Sequence, residues 1–117
     1  MCGIAGIFNF DGQLVSSEVL TKMTDIIVHR GPDGEGHWIN NEIGLGHRRL
    51  SIIDLSEDAH QPMITHDKRY IISYNGEIYN FKELRVELEK LGHHFATNSD
   101  TEVILKAYTE WQEKCPE

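Results

Sequence analysis

Met1-Cys2-Gly3-Ile4-Ala5-Gly6-Ile7-Phe8 opens the chain. Residues 3–10 alternate and are apolar-rich, the pattern of a buried strand, and Asp11-Gly12 then turns the chain. A strand that begins at the terminus pins Cys2 into the fold instead of leaving it to fray. It also gives that residue a chemistry. If Met1 is removed, Cys2 carries a thiol beside a free α-amine. An α-amine has a pKa of about 8 and is partly unprotonated at neutral pH, unlike a lysine amine near about 10.4. One residue then supplies a nucleophile and, directly or through a water, the base that activates it. Taken alone, a cysteine beside the start reads as chance, so its standing depends on the rest of the chain.

Working outward, Val19, Leu20, Met23, Ile26 and Ile27 recur at helical spacing, an amphipathic helix opened by Ser16 or Ser17. It stops at His29-Arg30-Gly31-Pro32-Asp33-Gly34, where the proline pushes its predecessor out of helical geometry and the glycines break the helix further. Strand-like runs follow at 37–39, 43–49 and 51–53, then a polar loop over 54–69 containing Pro62. A further β-rich run, 70–74, ends at Asn75-Gly76. Asn80 opens a second helix with Glu83 three residues on, an Asn-led version of the capping box. Phe81, Leu84, Leu88 and Leu91 make its apolar stripe, and Gly92 suits its C-terminal stop. Ser99 and Glu102 cap a third helix whose buried face is Ile104, Leu105, Tyr108 and Trp111. One cluster of strands with helices around it predicts an α+β fold with a largely antiparallel sheet.

The 117 residues suffice for one domain, and 39% hydrophobic with 26% charged residues is a globular composition. A net charge of -8, from 11 Lys+Arg against 19 Asp+Glu, argues against nucleic acid and anionic membranes as partners. Cys2 and Cys115 stand at opposite ends and make neither a disulfide framework nor zinc-ligand spacing, so a cytoplasmic location is expected. No cationic segment precedes a long apolar stretch, so neither a signal peptide nor a membrane span is expected. None of the 7 histidines falls in a metal-ligand pattern, and no metal site is expected. The glycine-rich stretches 31–36 and 44–46 match neither a dinucleotide fingerprint nor a phosphate loop, so no cofactor is expected in this chain.

Asn75-Gly76 supports two readings. Asn-Gly is the strongest short signal for a type I′ hairpin turn, yet a helix follows here instead of a partner strand. Alternatively, an asparagine amide and a glycine N–H at a strand end aim two donors at one point, an oxyanion hole. Arg48-Arg49 at a strand end reads as an ion pair or solvated face, or as a guanidinium placed to grip a carboxylate bidentately. Asp100, in the first turn after Ser99, reads as a helix-dipole partner or as an acceptor for a substrate ammonium.

Cys2-Gly3-Ile4, His29-Arg30-Gly31-Pro32-Asp33, Arg48-Arg49-Leu50-Ser51-Ile52-Ile53-Asp54, Tyr74-Asn75-Gly76-Glu77-Ile78-Tyr79-Asn80 and Ser99-Asp100-Thr101-Glu102 occur in that order. Together they resemble the glutaminase domain of class II glutamine amidotransferases, over essentially the whole chain and most closely in its asparagine synthetase (glutamine-hydrolysing) branch. The resemblance implies an N-terminal-nucleophile (Ntn) hydrolase fold, a four-layer α-β-β-α sandwich that 117 residues do not complete. It implies that Cys2 is the nucleophile and α-amine base after loss of Met1, with Asn75 and Gly76 as the oxyanion hole. Arg49 would hold the glutamine α-carboxylate, Asp100 and Glu77 its α-ammonium, and Leu50, Ser51, Ile52 and Ile53 would line the pocket.

Residues 1–117 would then be the N-terminal part of a glutaminase domain. The chain has no Ser-Gly-Gly-x-Asp-Ser-like pyrophosphate loop. Any ATP and magnesium chemistry, with amidation of aspartate to asparagine, would belong to a C-terminal synthetase domain acting as its partner. Strands missing from the sandwich would leave apolar surface uncovered, so homo-oligomerisation or poor stability is expected. The alternatives are a non-catalytic glutamine-binding or assembly module, and the glutaminase of another class II amidotransferase with a different acceptor.

Overall fold

A computed structural model describes residues 2–50 and 60–116. The described residues divide into two compact units: 2–50 with 60–62 and 73–76, and 63–72 with 77–116.

The first unit is built on a three-stranded antiparallel sheet of β1 (Gly3–Phe8), β2 (Gly34–Asn40) and β3 (Ile43–Arg49), with β3 in the centre. The register runs from Gly3↔Arg48 to Phe8↔Ile43 on one side of β3 and from Gly34↔Arg49 to Asn40↔Ile43 on the other. The expected terminal strand is therefore present. β2 begins at Gly34 rather than at residue 37, because its glycines serve close approach and not chain breaking. A Cβ on Gly36 would lie 1.8 Å from the Gln61 carbonyl oxygen.

Helix α1 (Ser17–Ile26) is capped by Ser16, whose hydroxyl accepts from the Val19 N–H at 3.3 Å. Its buried face differs from the expected stripe: Leu20 and Thr24 are buried, whereas Val19 and Ile26 are exposed. The sheet explains the rotation. A Cβ on Gly44 would meet Val15 and Leu20, one on Gly46 would meet Thr24, and one on Gly3 would meet Ile27. These three glycines make a floor onto which the 20–24–27 ridge settles. The Thr24 hydroxyl is satisfied there by the Leu20 carbonyl and His37 Nε2, at 3.3 and 2.8 Å. After α1 the chain makes a 3-10 turn at Val28–Arg30.

In the second unit β4 (Met63–Ile64) pairs antiparallel with β5 (Ile71–Ile72). This corrects two expectations: the 70–74 strand is confined to two residues, and its partner lies inside the stretch read as a polar loop. The turn between them is closed by polar groups, the Thr65 hydroxyl donating to Asp67 at 2.7 Å and accepting from the Tyr70 N–H at 3.0 Å. Strand 51–53 lies outside the described residues.

Helices α2 (Phe81–Lys90) and α3 (Asp100–Trp111) pack through Leu88, Val103 and Ala107, flanked by Phe81, Leu84, Phe95 and Trp111. The face of α3 is thus the 103–107–111 ridge with Leu105, while Tyr108 and, on α2, Leu91 are exposed. Gly92 ends α2 as expected, at φ +99°. The N–H groups of Gly92 and His93 bond the Glu89 and Leu88 carbonyls, both at 3.1 Å, a Schellman closure. Asn80 occupies the N-cap position of α2 but makes no side-chain cap bond, and its backbone, at φ -96° and ψ 23°, is not in the extended region that a capping side chain needs. All named strand pairs among the described residues are antiparallel.

Candidate active site

Cys2 precedes the first paired residue of β1 and so falls at the end of β3. The Leu50 N–H donates to Cys2 Sγ at 3.3 Å, and the Leu50 carbonyl lies 3.7 Å from the sulfur. Two backbone groups thus fix the half-buried thiol. Arg30 adds a third tether, its Nε–H donating to the Cys2 carbonyl at 3.2 Å.

Of the arginine pair, Arg48 takes the ion-pair reading. Neighbours in a strand point to opposite faces. The Arg48 guanidinium pairs with Glu35. Arg49 is buried, and its backbone is held by the bridge to Pro32 and by the Asp33 N–H, which donates to the Arg49 carbonyl at 2.9 Å. Glycine is required at position 31, where a Cβ would sit 2.3 Å from the Arg48 carbonyl carbon. The Gly31-Pro32-Asp33 turn therefore braces the end of β3 that carries Arg49 and Leu50.

Ser73–Gly76 also belongs to this unit but to no strand. Side chains hold it instead. The Ser73 hydroxyl donates to the Gly46 carbonyl at 3.0 Å, the Tyr74 N–H to Gln61 Oε1 at 2.5 Å, and His47 Nε2 to the Tyr74 carbonyl at 2.9 Å. Neither Asn75 nor Gly76 has a positive φ, and a type I′ turn needs one at both central positions. The hairpin reading is thereby excluded. Asn75 is half-buried and Gly76 exposed, the latter close enough to the Tyr74 hydroxyl that a Cβ would lie 2.6 Å away.

Burial, the largest effect, pushes the His47 imidazole below its ordinary pKa. The charges of Arg49 and His60 add to this, and the bond to the Tyr74 carbonyl opposes it.

Glu77 and Asp100 belong to the second unit. Ser99 caps α3, accepting from the Thr101 N–H at 3.1 Å. Asp100 is buried and its Oδ2 accepts from the Ile78 N–H at 3.0 Å, so it does more than complement the helix end. Glu102 departs from the expected capping box. Its carboxylate accepts from the Ala96 and Thr97 N–H groups and the Thr97 hydroxyl, at 2.9, 2.7 and 2.7 Å. A cleft in this unit, bounded by β4, residues 92–97 and α3, is lined by none of the sequence-derived candidates. Ser51, Ile52 and Ile53 lie outside the described residues.

The first unit thus holds a thiol fixed by backbone, the buried Arg49 and a side-chain-braced Asn75-Gly76. Arg30, His47 and Gln61 were not singled out from sequence. Arg30 stands in the His29-Arg30-Gly31-Pro32-Asp33 motif, whereas a histidine and a glutamine bonding to backbone leave no periodic signal. Gly44 and Gly46 receive α1, and Gly36 receives the Gln61 carbonyl. No helix among the described residues is long and apolar enough to cross a membrane.

The sequence profile of the glutamine amidotransferase domain matches residues 1–117. The chain is 49% identical to asparagine synthetase [glutamine-hydrolyzing] 1 of Bacillus subtilis (strain 168), over 97% of this chain and 18% of that protein. It is 39% identical to asparagine synthetase B [glutamine-hydrolyzing] of Escherichia coli (strain K12), over 100% of this chain and 20% of that protein. Identity to asparagine synthetase [glutamine-hydrolyzing] 1 of Arabidopsis thaliana is 40%, over 95% of this chain and 19% of that protein. The chain therefore spans about a fifth of the length of the curated relatives it matches.

Proposed function

The chain belongs to the glutamine amidotransferase domain family, and we propose that within it Cys2 hydrolyses glutamine to glutamate and ammonia through a thioester. The observation that carries this reading is the Cys2 sulfur held by the Leu50 N–H at 3.3 Å, at the end of the strand that bears buried Arg49. After loss of Met1, the α-amine of Cys2 takes the thiol proton as Sγ bonds the side-chain amide carbon. Asn75 and Gly76 donate to the oxyanion of the tetrahedral intermediate. When it collapses the C–N bond breaks, and the amine returns its proton to the departing ammonia. Water then attacks the thioester through a second such intermediate, releasing glutamate and restoring the thiol.

Arg49 holds the α-carboxylate, Asp100 and Glu77 the α-ammonium, and Leu50 to Ile53 line the pocket. A zwitterion with one neutral amide calls for one cation, one or two anions and an oxyanion hole, which is this set. The four-layer α-β-β-α sandwich belongs to the same reading. So does the use of the ammonia: likeness to asparagine synthetases supports delivery to a C-terminal synthetase domain that amidates aspartate with ATP and magnesium.

Two measurements on the full-length protein test this. Mass spectrometry of its N-terminus should find Cys2 exposed. Cys2→Ala should abolish glutamine hydrolysis and leave ammonia-dependent amidation intact. Hydrolysis that survives Cys2→Ala removes the nucleophile assignment.

A further inference from the structure

We propose that His47 and Gln61 are positioning residues for the Asn75–Gly76 donors, acting through the Tyr74 backbone that both of them hold. The inference rests on the glutaminase reading above and adds what aims its oxyanion hole.

Ser73–Gly76 follows β5 yet joins no ladder, so no strand pairing fixes its direction. Its backbone is gripped on two sides instead, the Tyr74 N–H by Gln61 Oε1 at 2.5 Å and the Tyr74 carbonyl by His47 Nε2 at 2.9 Å. The carbonyl of Tyr74 and the N–H of Asn75 are one rigid peptide plane. Holding that oxygen therefore sets the direction in which Asn75 leaves.

A carbonyl only accepts, so Nε2 of His47 carries the proton. The ring is 1% exposed and cannot swing to a water partner. His47 and Arg49 lie two apart on β3 and share a face of the sheet. One strand thus carries both the candidate carboxylate grip and the anchor of the oxyanion donors. Gln61 is placed with comparable rigidity, its carbonyl seated on Gly36 where no Cβ fits.

Donors of this kind act only where charge develops, and a misplacement of about 1 Å costs on the order of 100-fold in rate. The test is steady-state glutamine hydrolysis by the full-length protein. His47→Leu removes the donor and should lower kcat roughly 10- to 100-fold with KM within about two-fold, since the donors serve the transition state. Gln61→Met should shift kcat in the same direction. His47→Gln returns an amide N–H near the Nε2 position and should recover most of the loss. Alkylation of Cys2 by iodoacetamide should proceed at the wild-type rate in every variant, because that reaction needs the thiol and not the donors. An unchanged kcat in His47→Leu overturns the inference. So does an equal loss in His47→Leu and His47→Gln with Cys2 no longer alkylated, which marks a merely structural role. Wild-type protein that does not hydrolyse glutamine sinks the glutaminase reading itself.

Discussion

Arg49 is expected to act on ground-state binding of glutamine and His47 on both geometry and stability, and the two can be separated. A guanidinium bonded to a carboxylate is worth about 1.5–3 kcal/mol, or roughly 10- to 150-fold in affinity. Arg49→Ala should accordingly raise KM for glutamine by about that factor with a smaller change in kcat; an unchanged KM removes its carboxylate role. Titration distinguishes His47. Its folded pKa lies below the ordinary value of about 6.5, first because it is buried. As pH falls past about 6.5 the unfolded chain takes up a proton that the folded chain resists, so stability present above that pH drains away until the folded pKa is reached. Thermal midpoints of the full-length protein should fall between pH 7 and pH 5.5, and His47→Gln should flatten that slope. An identical slope in the variant would place the acid sensitivity elsewhere.

At the scale of elements, α1 shows why spacing located a helix but not its buried face. Periodicity reports that apolar residues recur, and Val19, Met23 and Ile26 recur as well as Leu20 and Ile27. What selects the 20–24–27 ridge is the glycine floor of β1 and β3, which lies far away in sequence. The same limit hid Met63–Ile64: two residues carry no period, and only their pairing with Ile71–Ile72 makes them a strand. Local chemistry was legible, in Ser16, Ser99 and Gly92, as was the terminal strand that seats Cys2. Long-range bonds were not, namely Glu102 to Ala96 and Thr97, or His47 to Tyr74. Gly46→Ala tests the floor directly. Its Cβ would lie 2.6 Å from Thr24 Cγ2, so α1 must shift, at a cost of about 1–3 kcal/mol. Thr24→Ser removes that methyl while keeping the hydroxyl, and the double variant should regain much of the loss. Simple additivity of the two would refute the contact. On α3, Glu102→Ala strands the backbone donors of residues 96 and 97 and should cost more than Ser99→Ala, about 3 against about 1 kcal/mol. The relative shifts in thermal midpoint decide it.

For the whole molecule, charge and exposed apolar surface act against each other. Phe10 is 94% exposed and packs against Phe8 with the rings tilted and their centroids 5.0 Å apart, and Ile4, Leu14 and Ile26 are exposed in the same unit. Ile4 and Phe8 lie on one face of β1, which among the described residues is an edge strand of the sheet with β3 as its partner. Apolar side chains on an edge strand favour association between copies, and a net charge of -8 opposes it by mutual repulsion. Repulsion depends on pH and apolar burial does not. Lowering pH from 8 toward the isoelectric point near 5.3 removes the repulsion while leaving Phe8, Phe10 and Ile4 in place. The 117-residue chain on its own should therefore associate increasingly over that range. Phe8→Ser with Phe10→Ser should suppress the association without changing net charge. Light scattering across the pH series reads the outcome. A monomer at every pH, or association that persists in the double variant, shows that this apolar face is not what draws the copies together.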